Sequence, residues 1–174
     1  MLCALLSKAV YGKGAPDDLG IIGFEYIVDN DTDTFAMAFI TDGEIIIAVR
    51  GSESRKDWLN DFKIIKTMFF GVKAHRGFAM CAGSILSKVG AILKEFPEKK
   101  IILTGHSLGG AIATLIAVSL RPKKVELITF GQPRVSTGHE INLALYGEYV
   151  RVQNGSDVVA RSPWLGYSHG GTCM

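Results

Sequence analysis

The pentapeptide Gly105-His106-Ser107-Leu108-Gly109 carries the side chain with the clearest potential for covalent chemistry. It lies between an apolar run at 101–104 and a second one at 111–120, which predicts a strand, a tight turn and a helix, with Ser107 at the tip. Such a turn exposes the hydroxyl and directs the unpaired N–H groups of the helix toward a reacting carbonyl. Glycines are needed because a Cβ on either side of so tight a turn would clash. Ser107 is therefore the candidate nucleophile of an acyl-transfer reaction.

A serine nucleophile needs a base, and a carboxylate commonly orients that base. The carboxylate should follow a later strand, and Asp157 comes a few residues after the predicted strand 148–152. The alternative is an ordinary turn aspartate after Asn154-Gly155, since these residue types form turns. The order of serine before aspartate favours the catalytic interpretation.

The base has to be one of four histidines. His106 precedes the nucleophile inside the turn and should face away from it, His75 lies upstream, and His139 falls in a predicted helix before Asp157. His169 is the histidine that follows Asp157, and the roughly 12 extended residues between them could reach about 40 Å. His169 is therefore the candidate base, with a structural histidine in a glycine-rich tail as the alternative.

The oxyanion that forms during acyl transfer needs two N–H donors aimed at it. One should come from Leu108, immediately after the nucleophile. The other should come from the loop after an earlier strand, and Arg50-Gly51-Ser52 follows the apolar run 44–49. Ser52 could add its hydroxyl, and a plain loop serine is the alternative.

The surrounding pattern predicts an α/β fold with a mostly parallel central sheet, because strands alternate with helices after an initial hairpin at Asp42-Gly43. Functional residues should then lie at the carboxyl ends of the strands. The predicted helices are 2–11, 76–96, 109–120 and 138–145, and the predicted strands are 24–28, 34–41, 44–49, 100–104, 125–130 and 148–152.

Composition narrows the function classes. The 174 residues fit one domain (1–174), and 48% apolar with 21% charged residues is typical of a globular protein. A net charge of +2 with dispersed basic residues argues against nucleic-acid binding. The three cysteines are widely spaced, which predicts neither a disulfide framework nor a metal site.

The same survey addresses location. The segment Met1–Leu6 is apolar but lacks a basic leader, so it does not read as an export signal. The most apolar stretch, 112–120, is too short to span a bilayer, so no transmembrane segment is expected. We therefore expect a cytoplasmic protein.

Five ordered segments resemble the class 3 lipases, the family that contains the fungal triacylglycerol lipases. The resemblance covers about residues 44 to 171. The matching segments are Val49-Arg50-Gly51-Ser52 with 57–61, His75-Arg76-Gly77-Phe78, 104–111 around the nucleophile, Thr129-Phe130-Gly131-Gln132-Pro133-Arg134-Val135, and 154–163 with Gly166-Tyr167-Ser168-His169.

This resemblance implies an α/β-hydrolase fold, with helices on both faces of the sheet, and hydrolysis of carboxylic esters of acyl lipids. It carries the nucleophile onto Ser107, the acid onto Asp157, and the oxyanion donors onto Ser52 and Leu108. In family members the catalytic histidine lies beyond the Gly-Tyr-x-His segment, so His169 rests on elimination among the four histidines and not on the family pattern.

The resemblance also makes the stretch 54–62 look like the family's lid, which would open at a lipid–water interface. Trp58 would then be a lid aromatic, and ordinary core packing is the alternative. We expect a lipase or esterase that needs no metal or organic cofactor. A phospholipase, a thioesterase and a non-catalytic acyl-binding scaffold remain open, and the sequence does not determine the oligomeric state.

Overall fold

The central sheet and the helices that cover it follow the predicted order along the chain. The computed structural model describes residues 1–12, 14, 16, 19–52, 65–137, 141–142, 147–155, 157–163 and 166–174. The helices are α1 (Leu2–Gly12), α2 (Arg76–Glu95), α3 (Leu108–Ser119) and α4 (Val158–Arg161). The strands are β1 (Gly23–Asp29), β2 (Thr34–Ile40), β3 (Glu44–Val49), β4 (Lys66–Phe69), β5 (Val72–His75), β6 (Lys100–His106), β7 (Val125–Phe130), β8 (Tyr149–Val152) and β9 (Thr172–Cys173).

Seven strands form one sheet in the order β1-β2-β3-β6-β7-β8-β9. The first three strands are antiparallel, and every pair from β3 onward is parallel. The predicted fold class is therefore confirmed. Because parallel strands end at the same edge, the residues after β3, β6, β7 and β8 meet there, and this edge holds the candidate site.

The hairpin between β2 and β3 forms at the predicted turn. Thr41 N–H donates to the Glu44 carbonyl at 3.0 Å, with Asp42-Gly43 at the tip. Ile45, Ile46 and Ile47 are all fully buried, which is why β3 is apolar without alternation. A strand covered on both faces has no solvent side on which to place polar residues.

The two faces of the sheet carry different helices. Helices α2 and α3 pack on the face that includes Ile45, Ile47 and Leu103, and α1 packs on the opposite face against Ile46 and Ile102. Helices on both faces were predicted and are observed. On this account α1 reaches the functional edge from the side opposite α3.

Helix α2 forms because its apolar residues recur at helical spacing and turn toward the sheet. Its buried side chains are Phe78, Ala79, Ala82, Ile85, Val89, Ile92 and Leu93, and the helix ends before Pro97. By length and composition α2 could also cross a membrane, a test that core helices of soluble proteins pass as well. Here its apolar face contributes to the larger core cluster.

Four elements were not predicted, and each is short. Strands β4 and β5 form a two-stranded sheet of their own, joined at Phe70-Gly71, where φ is 46° and 82°. Helix α4 has four residues and β9 has two, too few to show a periodicity in sequence. The proposed lid at 54–62 with Trp58, and most of the predicted helix 138–145, lie outside the described residues.

Candidate active site

Ser107 sits in a strained turn between β6 and α3. Its φ of 55° and ψ of −126° place a non-glycine residue in a sparsely populated region of backbone space. The Ser107 N–H donates to the Phe130 carbonyl at 2.9 Å, and only 4% of the residue is exposed. Such strain costs about 1–3 kcal/mol and persists where surrounding packing imposes it, commonly at functional sites.

Two glycines make this turn sterically feasible. A Cβ at Gly105 would lie 2.4 Å from the carbonyl carbon of Gly109. A Cβ at Gly109 would lie 2.1 Å from the carbonyl oxygen of Val49. The need for glycine is therefore as expected at Gly105, whereas at Gly109 the obstacle is β3, a neighbour that is distant in sequence.

The candidate oxyanion loop lies directly against this turn. A Cβ built on Gly51 would be 3.5 Å from the Ser107 Cβ and 2.6 Å from the His106 carbonyl oxygen. Ser52 is the next residue, and Leu108 begins α3, where N–H groups lack intrahelical acceptors. The structure thus places Gly51, the residue before Ser52, beside the nucleophile, and Leu108 directly follows it.

Asp157 occupies the same edge of the sheet. Its Oδ1 accepts the Val159 N–H at 3.0 Å and caps α4. Its Oδ2 is 3.1 Å from the position that a Cβ on Gly131 would take. The Ser107 N–H is hydrogen-bonded to the Phe130 carbonyl, so the predicted nucleophile and the predicted acid both border residues 130–131.

His169 is held elsewhere. Its Nε2 lies 2.6 Å from the Ala160 carbonyl oxygen, on the last part of α4. Burial, first, and then the positive charge of Arg151 lower the pKa of His169 to about 4, although the hydrogen bond to the Ala160 carbonyl acts in the opposite direction. Within the described ranges, no hydrogen bond joins this ring to Ser107 or Asp157. The ring is neutral at pH 7 and points at backbone.

The other described histidines have different surroundings. His106 turns toward α1, where its Nδ1 is 3.3 Å from the Tyr11 hydroxyl, as expected for the residue before the nucleophile. His75 is buried before α2, with its ring 4.4 Å from that of Phe78 and 6.0 Å from that of Tyr167. His139 lies outside the described residues.

The described residues include neither a metal-ligand cluster nor, at Cys3 and Cys81, a reactive thiol. No group of three or more His, Cys, Asp or Glu side chains is placed there to hold a metal ion. Burial raises the pKa of the Cys3 and Cys81 thiols, which keeps both protonated and poorly reactive.

Comparison with known proteins decides the family. The sequence pattern of the family described as "Lipase (class 3)" matches residues 46–167. The chain belongs to the class 3 lipase family. The resemblance seen in the sequence is confirmed, and with it the α/β-hydrolase fold, because solved fungal lipases superpose on most of the chain.

Individual members of the family are similar over most of the chain. The secreted mono- and diacylglycerol lipase 1 of Fusarium solani is 37% identical over 139 residues, 72% of this chain and 42% of that protein. The structure of Rhizomucor miehei triacylglyceride lipase has a TM-score of 0.82 at 30% identity, covering 98% of this chain and 76% of that one. A further structure, with a TM-score of 0.75 at 32% identity over 90% of this chain and 66% of that one, is of a triacylglycerol lipase whose catalytic centre is a serine-protease triad.

Two statements follow from these relatives. The chain spans about half the length of the curated relatives it matches. The expectation of a cytoplasmic location is wrong, because the Fusarium solani and Penicillium cyclopium relatives are named as secreted lipases. The absence of a basic leader in the first residues was not a sound basis for assigning a compartment.

The residue that sequence reasoning missed at this site is Tyr11. It lies on α1, 40 residues before the oxyanion loop, yet its hydroxyl accepts the Gly51 N–H at 3.1 Å. An aromatic residue near the end of an amphipathic helix looks like ordinary core packing in sequence. Tyr11 reaches the functional edge only because α1 packs against the face of the folded sheet.

Proposed function

We propose that this protein is a serine hydrolase that cleaves carboxylic esters of acyl lipids. The observation that carries the proposal is the strained Ser107, which lies beside Gly51 on one side and is hydrogen-bonded to Phe130 on the other, where Gly131 adjoins Asp157. Acyl transfer requires a nucleophile, two oxyanion donors and a carboxylate, and the candidates for these roles lie at one edge of the sheet.

In the proposed reaction, Ser107 Oγ attacks the ester carbonyl carbon as a base accepts its proton. The carbonyl oxygen becomes an anion and is stabilised by the N–H groups of Ser52 and Leu108. Collapse expels the alcohol, which takes the proton back, and leaves an acyl group on Ser107. A water molecule, deprotonated by the same base, then releases the fatty acid. Asp157 orients the base and stabilises its charged form.

For the base, His169 stays the prediction. To act, its Nε2 would have to leave the Ala160 carbonyl and reach Ser107 Oγ, and its environment would have to tolerate an imidazolium that now has a pKa of about 4. A base works best with a pKa close to the working pH. His169→Ala should abolish turnover if this assignment is correct, whereas retained turnover would assign the base to another residue.

The substrate class follows from the relatives and not from the site alone. Acyl glycerol lipases are among the similar proteins, as is the Arabidopsis thaliana phospholipase A1-IIgamma at 28% identity. We take acyl glycerol esters as the substrate and a lipid–water interface outside the cell as the place of action, since relatives are named as secreted. Turnover of phospholipids or thioesters in preference to glycerides would reassign the substrate.

The decisive test is covalent labelling by a fluorophosphonate, which reacts with activated serines. We expect wild type to be labelled and Ser107→Ala not to be, with esterase turnover reduced roughly 10⁴- to 10⁶-fold in the variant. Ser119→Ala is the matched control, because Ser119 lies at the other end of α3 and donates to Ile116. An unlabelled wild-type protein, folded and stable, would instead indicate a non-catalytic acyl-binding scaffold.

A further inference from the structure

The Tyr11 hydroxyl contacts both the oxyanion loop and the residue before the nucleophile. The Tyr11 hydroxyl accepts the Gly51 N–H at 3.1 Å and lies 3.3 Å from His106 Nδ1. A hydroxyl that accepts one hydrogen bond still has its own proton to donate, and His106 Nδ1 can accept it in the tautomer that leaves this nitrogen unprotonated. One hydroxyl thus joins the loop after β3 to the residue that precedes the nucleophile.

Gly51 is confined from two sides at this point. A Cβ there would lie 2.4 Å from Tyr11 Oη and 2.6 Å from the His106 carbonyl oxygen. Just before it, the Arg50 N–H donates to the Phe35 carbonyl at 2.9 Å and continues the β2–β3 ladder. The loop therefore leaves the sheet with one amide fixed by β2 and the next fixed by Tyr11, immediately before Ser52.

We propose that Tyr11 is a positioning residue that sets the oxyanion loop through Gly51 and ties it to the nucleophile turn through His106. The catalytic consequence rests on the proposed function, because it needs Ser52 to be an oxyanion donor. The geometric part does not. A donor displaced by about 1 Å can cost roughly 10²-fold in rate, so a hydroxyl that fixes the preceding amide has a measurable effect.

The structure also shows how to remove this hydroxyl alone. The ring of Tyr11 lines a cavity of about 290 Å³ between α1 and the ends of β6 and β7, together with Ala4, Ser7, Lys8, His106 and Phe130. Tyr11→Phe keeps the ring on this wall and deletes only Oη. Ser7→Ala is the matched control, because Ser7 is on the same helix and makes a different buried contact, at 2.9 Å to Thr104 Oγ1.

Two readouts separate positioning from general stability. Amide hydrogen exchange, followed by NMR, should be at least tenfold faster at Gly51 in Tyr11→Phe and within twofold of wild type in Ser7→Ala. With a soluble short-chain ester, kcat should fall about tenfold in Tyr11→Phe while KM stays within twofold. Loss of a donor aimed at the transition state lowers kcat without weakening substrate binding.

Unchanged exchange at Gly51 in Tyr11→Phe, or equal acceleration in Ser7→Ala, would overturn the inference. So would faster exchange with an unchanged kcat. A wild-type protein with no esterase activity would refute the proposed function instead, and the exchange comparison would still decide whether Tyr11 fixes the loop.

Discussion

The nucleophile turn and the segment after β8 reach the same edge of the sheet but are held there by different means. Ser107 lies between a seven-residue strand and a twelve-residue helix, and backbone atoms of Val49, Gly105 and Phe130 surround the turn. Asp157 and His169 lie among a four-residue helix, a two-residue strand and connecting turns. The first region is fixed by backbone packing, and the second by individual hydrogen bonds.

This difference teaches which changes each region should tolerate. A tight backbone contact cannot adjust by rotating a side chain, so the turn should respond to added volume. The segment after β8 should respond to the loss of single polar groups, because β9 is exposed and few buried residues anchor α4. The four predictions below test that contrast, from the largest expected effect to the smallest.

Substitutions of Asp157 should distinguish its catalytic role from its role as the cap of α4. Asp157→Asn keeps an oxygen that can accept the Val159 N–H, so we expect unfolding stability within about 0.5 kcal/mol of wild type. Turnover should fall roughly 10³- to 10⁴-fold, since an uncharged amide no longer orients and stabilises the base. Asp157→Ala should show the same kinetic loss and also lose about 1 kcal/mol from the missing cap. Urea unfolding and ester kinetics on both variants provide the measurement, and normal turnover by Asp157→Asn would remove this residue from the mechanism.

Substitutions of Ser52 test whether its backbone N–H is an oxyanion donor. Ser52→Pro deletes the N–H, and we expect a loss of roughly 10²- to 10³-fold in kcat, the usual effect of one missing oxyanion donor. Ser52→Ala retains the N–H and should lose less than tenfold in kcat. Circular dichroism establishes that the proline variant is folded. Equal kcat values for the two variants would show that the amide is not a donor.

His169 should make stability depend on pH. Its folded-state pKa of about 4 lies below the ordinary value of 6.5, so the unfolded chain binds this proton more readily between those limits. Stability should therefore be full above about pH 6.5 and fall as the pH drops toward 4, by about 2 kcal/mol once solvent screening is allowed for.

His169→Gln should be the less pH-dependent protein in that window. The comparison is the urea unfolding free energy at pH 4.5 and pH 7 for wild type and variant, with the difference between the two proteins attributed to His169. If both proteins lose the same stability on acidification, the ring is not held neutral by its surroundings in the folded state.

Alanine at Gly131 is expected to have the smallest effect of the four, and alanine at Gly155 is its matched control. Gly131 and Gly155 have nearly the same φ, 53° and 51°, so alanine at either site should cost about 1–2 kcal/mol in backbone strain. A Cβ at Gly131 would also lie 3.1 Å from Asp157 Oδ2, whereas a Cβ at Gly155 would meet no atom of the described residues within 4 Å. We expect Gly131→Ala to lower kcat severalfold and Gly155→Ala to leave it unchanged. Similar kinetics in the two variants would mean that Gly131 does not constrain the acid.

The sequence alone determined the elements that repeat a strong local pattern. The β2–β3 hairpin, the buried α2 and the strand–turn–helix around Ser107 all formed within about two residues of their predicted bounds. Their apolar periodicity and turn residues act over short distances in the chain. The sequence also identified the family, through five ordered segments that the match to residues 46–167 confirms.

The tertiary structure decided what depends on contacts between distant segments. Only the folded sheet shows that Gly109 is a glycine because β3 passes beside it, that Tyr11 reaches Gly51 from the opposite face, and that His169 Nε2 faces Ala160. Elimination among four histidines could choose a residue but could not orient a ring. Side-chain direction in short, irregular segments is set by neighbours that no local pattern specifies. The sequence could therefore place the candidate nucleophile and the candidate acid after their strands, but it could not give their supporting contacts.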